Sequence, residues 1–211
     1  MRYFDFHTHH IPTETDVVAV VSGRDTWGIH PWQTDDAVLL SRLQGEGGGL
    51  VLPLQGEQEA MLAIGECGLD ATRGATLAVQ EDIFLQHIAL SERLGKPVVV
   101  HCVKALDHLL RLHRQQQPSV SWLFHGFRGK PQQLRSLLDA GFYVSFGFRH
   151  NEESLRLCPV ERLLLETDDE RLSIKDLYRN VAALRGVDEA FLCDEMAKNY
   201  QSIFSKNTSP G

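Results

Sequence analysis

Phe4-Asp5-Phe6-His7-Thr8-His9-His10 reads as a strand that ends in a pair of histidines. In an extended chain successive side chains alternate faces, so Asp5, His7 and His9 point one way while Phe4, Phe6 and Thr8 point the other, into packing. Residues two apart on a strand are separated by about 6.6 Å. Metal–nitrogen bonds of about 2.1 Å therefore let both imidazoles reach one ion. A lone strand histidine is ordinarily satisfied by hydrogen bonds in a core. A His-x-His pair at a strand terminus points to a metal instead.

Working outward, Val17 to Val21 is a short β-branched run that predicts a second buried strand. Too few residues separate it from the first for the usual intervening helix, so that connection is reduced to a turn. A third short strand ends at Trp27-Gly28-Ile29-His30-Pro31-Trp32, and a helix is expected over 35–44. The glycine-rich 45–49 reads as a loop, and the apolar patch 50–54 has no clear placement. From residue 61 the pattern becomes regular. Strands are predicted at 61–66, 97–101, 121–125, 142–146 and 163–167. Helices are predicted at 76–94, stopped by Gly95, at 105–116, at 131–140, opened by a proline and closed by Gly141, at 173–185 and at 187–204. About eight strands alternating with helices describe a parallel sheet wrapped by helices, best closed as a compact TIM-type (β/α)8 barrel forming a single domain over 1–211.

Polar residues fall at one end of that pattern. Glu66, His101, His125 and Asp168 each stand at or just past the carboxyl end of a predicted strand, as His7 and His9 do, and that is the face where such barrels build active sites. Together they are four imidazoles and two carboxylates. One catalytic zinc uses three protein ligands, so six predict two divalent ions (Zn, Mn or Mg) about 3.5–4 Å apart, with Glu66 placed to bridge them. Asp168 is the candidate general base, and Lys104, Arg73 and Arg128 are the cations expected to hold phosphate oxygens. His87, His108, His113 and His150 read as packing or surface residues. Cys67 and Cys102 follow a ligand by one residue and point away from it, as small core side chains.

The motifs Asp5-Phe6-His7-Thr8-His9, Gly28-Ile29-His30-Pro31, Ala63 to Asp70 (AIGECGLD), Pro97 to His101 (PVVVH), His125 to Gly129 (HGFRG) and Leu165-Glu166-Thr167-Asp168 resemble those of the TatD-type metal-dependent hydrolases, over nearly the whole chain. The resemblance implies a TIM-type barrel, a divalent-metal centre on the six residues named, hydrolysis of phosphoester bonds, often in DNA, and a substrate-facing role for His30. Two alternatives remain open: a C–N or C–O hydrolase of the wider amidohydrolase superfamily, and a non-catalytic metal-binding barrel. Where the family commonly has Ser-Arg after the fourth ligand, Cys102-Val103-Lys104 stand here. Where a Ser-Pro-Tyr-like sequence is usual after the last, Asp169-Glu170-Arg171 follow. The loop after Asp70 lacks the usual aromatic pair and with it an obvious base-stacking platform.

Composition sets the remaining bounds. With 211 residues, 43% hydrophobic and 23% charged, the chain has the material for one sizeable core. A net charge of -7 argues against a broad basic surface for coating nucleic acid. With Asp169 and Glu170 beside the mouth, it predicts a small phosphoester or short or single-stranded DNA as substrate rather than long duplex. The four cysteines form no CxxC pair, no apolar run approaches membrane-spanning length, and a signal peptide is not expected where the first strand carries the motif. A reduced, cytoplasmic protein with no membrane contact and no implied protein partner is expected.

Overall fold

The computed structural model describes residues 1–37, 39–40, 50 and 60–205. In chain order the elements are β1 (Tyr3–Thr8), β2 (Val17–Val21), β3 (Thr26–Trp27), a 3-10 turn (Pro31–Gln33), β4 (Ala63–Asp70), α1 (Leu77–Leu94), β5 (Val98–Val103), α2 (Leu106–Gln116), β6 (Trp122–Phe124), α3 (Pro131–Asp139), β7 (Tyr143–Phe146), α4 (Glu152–Leu157), a second 3-10 turn (Val160–Arg162), β8 (Leu163–Leu165), α5 (Ile174–Arg185) and α6 (Glu189–Phe204). Of the helix expected over 35–44, residues 37, 39 and 40 are helical. The rest of that segment from 41 on, the loop at 45–49, residues 51–54 of the apolar patch and the tail from 206 lie outside the described residues. No helix among the described residues is long and apolar enough to cross a membrane.

The chain forms two compact units, residues 1–22 with 123–211, and residues 23–122. In the first unit β1 pairs in parallel with β2, and no helix intervenes, as the short connection predicts. All six residues of β1 are buried, as expected of a parallel strand covered on both faces. Phe4 and Phe6 pack on Tyr200, with ring centroids 5.0 and 6.1 Å apart, which fixes α6 against one face of the strand. Between Asp5 and Thr8 the register slips: β1 uses one residue more than β2. Such a bulge re-aims the side chains beside it, and here it falls next to His7. β6, β7 and β8 form a second parallel set. Just past β8, the Asp168 N–H donates to the His7 carbonyl at 3.0 Å and the His9 N–H donates to the Asp168 carbonyl at 3.1 Å.

In the second unit β3, β4 and β5 run parallel. β4 corrects the sequence reading. It continues to Asp70, so Glu66 lies in the middle of the strand and not at its end. Two glycines and two acids within AIGECGLD depress strand propensity, but pairing of Cys67 to Asp70 with Val100 to Val103 carries the strand on. Gly68 is required there, because a Cβ would stand 2.1 Å from the His101 carbonyl oxygen. A second bulge, between Ile64 and Cys67, re-aims Glu66 as the first does His7. α4 and the 3-10 turn after it were also not anticipated. α4 has six residues, too few for helical periodicity to register.

α1 buries Gln80, Ile83, Phe84, His87, Ile88 and Ser91, one stripe at helical spacing, and ends on Gly95 at φ 64°. His87 is fully buried and uses both ring nitrogens: Nδ1–H donates to the Ile83 carbonyl at 2.8 Å, and Nε2 accepts the Ile29 N–H at 2.9 Å. Burial, opposed by the Ile83 hydrogen bond, lowers its pKa from 6.5 to about 4. The unfolded chain thus binds this proton more readily than the fold does, and stability falls as pH drops from about 6.5 to about 4, by on the order of 3 kcal/mol at the acid end. His87→Gln keeps a donor and an acceptor but does not titrate. Urea unfolding at pH 7.5 and 4.5 should show wild type losing its advantage over this variant on acidification. A stability difference that is the same at both pH values would contradict the assignment.

Candidate metal centre

In the first unit His7 comes from the bulged end of β1, His9 from the residue after it, His125 from the end of β6 and Asp168 from just past β8. Asp168 has a left-handed φ of 54°, a conformation that Asp and Asn tolerate better than other non-glycine residues. The donor atoms of His7, His125 and Asp168 all lie within 4.8 Å of one another, as do those of His9, Asp168 and Asp169. His7 Nε2 is 3.8 Å and His9 Nε2 3.6 Å from Asp168 Oδ1. These separations exceed hydrogen-bonding range. They match donors arranged around a common centre, since two atoms each about 2.1 Å from one tetrahedral ion lie about 3.4 Å apart. The donor set therefore fits a divalent cation.

The second unit brings Glu66, His101 and His30 together. Glu66 Oε1 lies 2.7 Å from His101 Nδ1 and 3.0 Å from His30 Nε2. The two imidazoles differ in role. His30 Nδ1 accepts the Trp32 N–H at 3.1 Å, which places the proton of the neutral ring on Nε2 and makes that atom a donor. His101 directs Nε2 at Asp70 Oδ2, 3.3 Å away, which leaves the Nδ1 lone pair beside Glu66. In these tautomers His101 Nδ1 is available as a nitrogen donor to a cation and His30 Nε2–H as a hydrogen-bond donor.

Two carboxylates behind the imidazoles escaped the sequence reading, although both stand inside the quoted motifs. Asp70 backs His101. Glu166, fully buried, has Oε1 3.5 Å from His125 Nδ1 and accepts the Gly126 N–H at 2.6 Å. Carboxylates that hold the second nitrogen of a ligating histidine fix its tautomer and orientation. Burial alone would raise the Asp70 carboxyl, but hydrogen bonds from Thr72, Trp32 and His101 outweigh it and bring the pKa to about 2. Glu166 is likewise lowered, burial being overcome by its hydrogen bond and charge interaction with His125. Both acids are thus anionic when they meet their histidines.

The expected substrate cations differ in placement. Arg128 lines a cleft of about 310 Å³ with Asp168, Asp169, Glu166 and Glu170, and Arg149, not anticipated, joins it there. Glu170 is already paired with Arg149 at 3.0 Å, so one of the two acids beside Asp168 is offset. Arg73 lies with its guanidinium 4.3 Å from the Trp32 ring centroid. Lys104 is exposed directly after β5, at φ 51°. A turn brings His10 Nε2 to 3.2 Å from the Asp169 carbonyl. Cys67 is fully buried, as a core residue should be.

Residues 22–205 match the model of the TatD related DNase family. The chain is 31% identical over 219 residues to the 3'-5' ssDNA/RNA exonuclease TatD of Cronobacter sakazakii, covering 88% of this chain and 78% of that protein. It is 30% identical over 174 residues to the uncharacterized metal-dependent hydrolase YcfH of Escherichia coli K12, covering 72% of this chain and 66% of YcfH, so it spans slightly under two thirds of that relative's length. The solved structure of YJJV, a TatD homolog from Escherichia coli K12, superposes with a TM-score of 0.72 at 20% identity, covering 92% of this chain and 78% of that one. That likeness shows the fold to be the α/β, TIM-type architecture read from the alternation of strands and helices.

Proposed function

The chain belongs to the TatD related DNase family, and from that premise we propose that it is a divalent-metal-dependent hydrolase of phosphoester bonds whose substrates are short or single-stranded nucleic acids. The observation that carries this reading is the distance of His7 and His9 from Asp168, at 3.8 and 3.6 Å too wide for hydrogen bonds and right for donors that share an ion. His7, His9, His125 and Asp168 would hold one divalent ion, and Glu66 and His101 would hold a second, Zn, Mn or Mg. Bound there, the ions supply charge that polarises a phosphoryl oxygen and lowers the pKa of water toward neutrality.

The chain's own groups do the rest. Asp168 takes the proton of the attacking water on its carboxylate. His30 Nε2–H donates to a phosphate oxygen, in keeping with its tautomer. Asp70 and Glu166 hold His101 and His125 in register, and Arg128, with Arg73 and Lys104, meets flanking phosphates. The acidic net charge, with Asp169 near His9, disfavours a long duplex and favours a flexible strand that presents few phosphates at once. This accords with the name of the Cronobacter relative, a single-strand exonuclease.

A panel of p-nitrophenyl phosphodiesters, lactones and dipeptides, assayed with added Mn, Zn or Mg, tests the reaction class. Turnover of the phosphodiesters alone is expected. Turnover of lactones or dipeptides with none of phosphodiesters would overturn the proposal in favour of C–O or C–N chemistry.

A further inference from the structure

Trp32 is 45% exposed, whereas Trp122 is 2% exposed. An exposed indole is ordinarily free to move, but this one is held. Its Nε1–H donates to Asp70 Oδ2 at 2.6 Å, and its ring meets His30 edge-on with centroids 4.7 Å apart and His101 at 5.8 Å. The guanidinium of Arg73 lies over it at 4.3 Å. The loop that carries Arg73 is fixed in turn by buried Gln80, whose amide donates to the carbonyls of Asp70, Arg73 and Ala75 at 3.0, 2.8 and 2.8 Å. A rigid, solvent-facing aromatic plane with a cation on it therefore stands directly beside two imidazoles of the candidate centre. Phosphoester hydrolysis by itself has no use for the exposed indole.

We propose that Trp32 and Arg73 form a nucleobase-stacking subsite, in which the base of the nucleotide next to the scissile phosphate stacks on the indole and Arg73 swings its guanidinium to the adjoining phosphate. This rests on the phosphoester reading and narrows it to nucleic acid with unpaired bases, since a base inside a duplex has no free face to offer. Every base has a π face, so the subsite selects for a base without selecting which one. The platform comes from the stretch after His30-Pro31, and the loop after Asp70, which has no aromatic of its own, supplies the cation Arg73.

The test uses the metal-reconstituted protein and two slowly hydrolysed ligands: a thymidine dinucleotide with a phosphorothioate link, and the same link between two abasic sugars. Tryptophan fluorescence should be quenched by the first and not the second, and the first should bind about 5- to 100-fold more tightly. Trp32→Leu should abolish both the quenching and the preference. Trp32→Phe, which also lacks the N–H to Asp70 but keeps a ring, should retain most of the preference. Equal binding of the two ligands by wild type would overturn the proposal. So would equal losses in the Phe and Leu variants, which would place the effect in the Asp70 hydrogen bond. A base preference in a protein that turns over no phosphoester would leave the subsite standing and defeat the proposed function. Equal kcat/KM on base-bearing and abasic phosphodiesters would do the reverse.

Discussion

Asp168→Asn lowers phosphodiester turnover by about 10²–10⁴-fold, the usual contribution of a positioned general base, while bound metal falls far less. Asn is the informative substitution for a structural reason. Residue 168 sits at φ 54°, where Asn is tolerated nearly as well as Asp, and its position is held by main-chain hydrogen bonds to His7 and His9 that no side-chain change removes. The variant keeps an oxygen donor of the same size beside His7 and His9 and loses only the proton acceptor. Steady-state kinetics and metal content measured on the same preparation check this. Near-normal turnover in the variant would remove Asp168 from proton transfer. A loss fully restored by excess metal would make it a ligand only.

His101→Ala should cut turnover by at least about 100-fold, since loss even of the partners behind a ligand costs 10–100-fold. It should also lower metal content by one equivalent. His101 faces Asp70 through Nε2 and Glu66 through Nδ1, so its removal also withdraws the hydrogen-bond donor of Asp70 and leaves Glu66 without the nitrogen beside it. Circular dichroism should remain that of wild type, because the β4–β5 pairing runs through the main chain. Asp70→Asn gives the graded comparison: it leaves the ligand and loosens its orientation, and should cost less than the deletion. Full activity in His101→Ala would mean that the centre has been assigned to the wrong residues.

What the sequence made legible follows from what is local in it. The histidines that close β1, the β-branched second strand and the positions of His125 and Asp168 just past β6 and β8 are short motifs or local patterns, and the structure places them as read, whereas Glu66 and His101 stand inside strands that run on past them. What escaped depends on pairing. The bulges beside His7 and Glu66 exist only relative to β2 and β5, so neither the exact aim of His7 nor the mid-strand position of Glu66 is visible in one strand alone. Asp70 and Glu166 stand inside the motifs but carry no signal of their role in the sequence, because a carboxylate that orients a histidine is recognised by the nitrogen it faces, and that nitrogen belongs to another strand. The tautomer of His30 depends on the Trp32 amide two residues on, a short-range signal available only once the 3-10 turn is known. Trp32 itself read as the end of a strand region, and its exposure and its contacts with Asp70 and Arg73 come from 38 and 41 residues away in the chain.

The central claim is that these imidazoles and carboxylates hold divalent ions for phosphoester hydrolysis, and its direct measurement is metal content against turnover. The protein is stripped with a chelator and titrated with Mn, Zn or Mg while hydrolysis of a p-nitrophenyl phosphodiester is followed. The account predicts no turnover in the stripped protein, then a rise that saturates at about two equivalents per chain. Turnover that is unaffected by stripping, or a protein that takes up no stoichiometric metal, would contradict it.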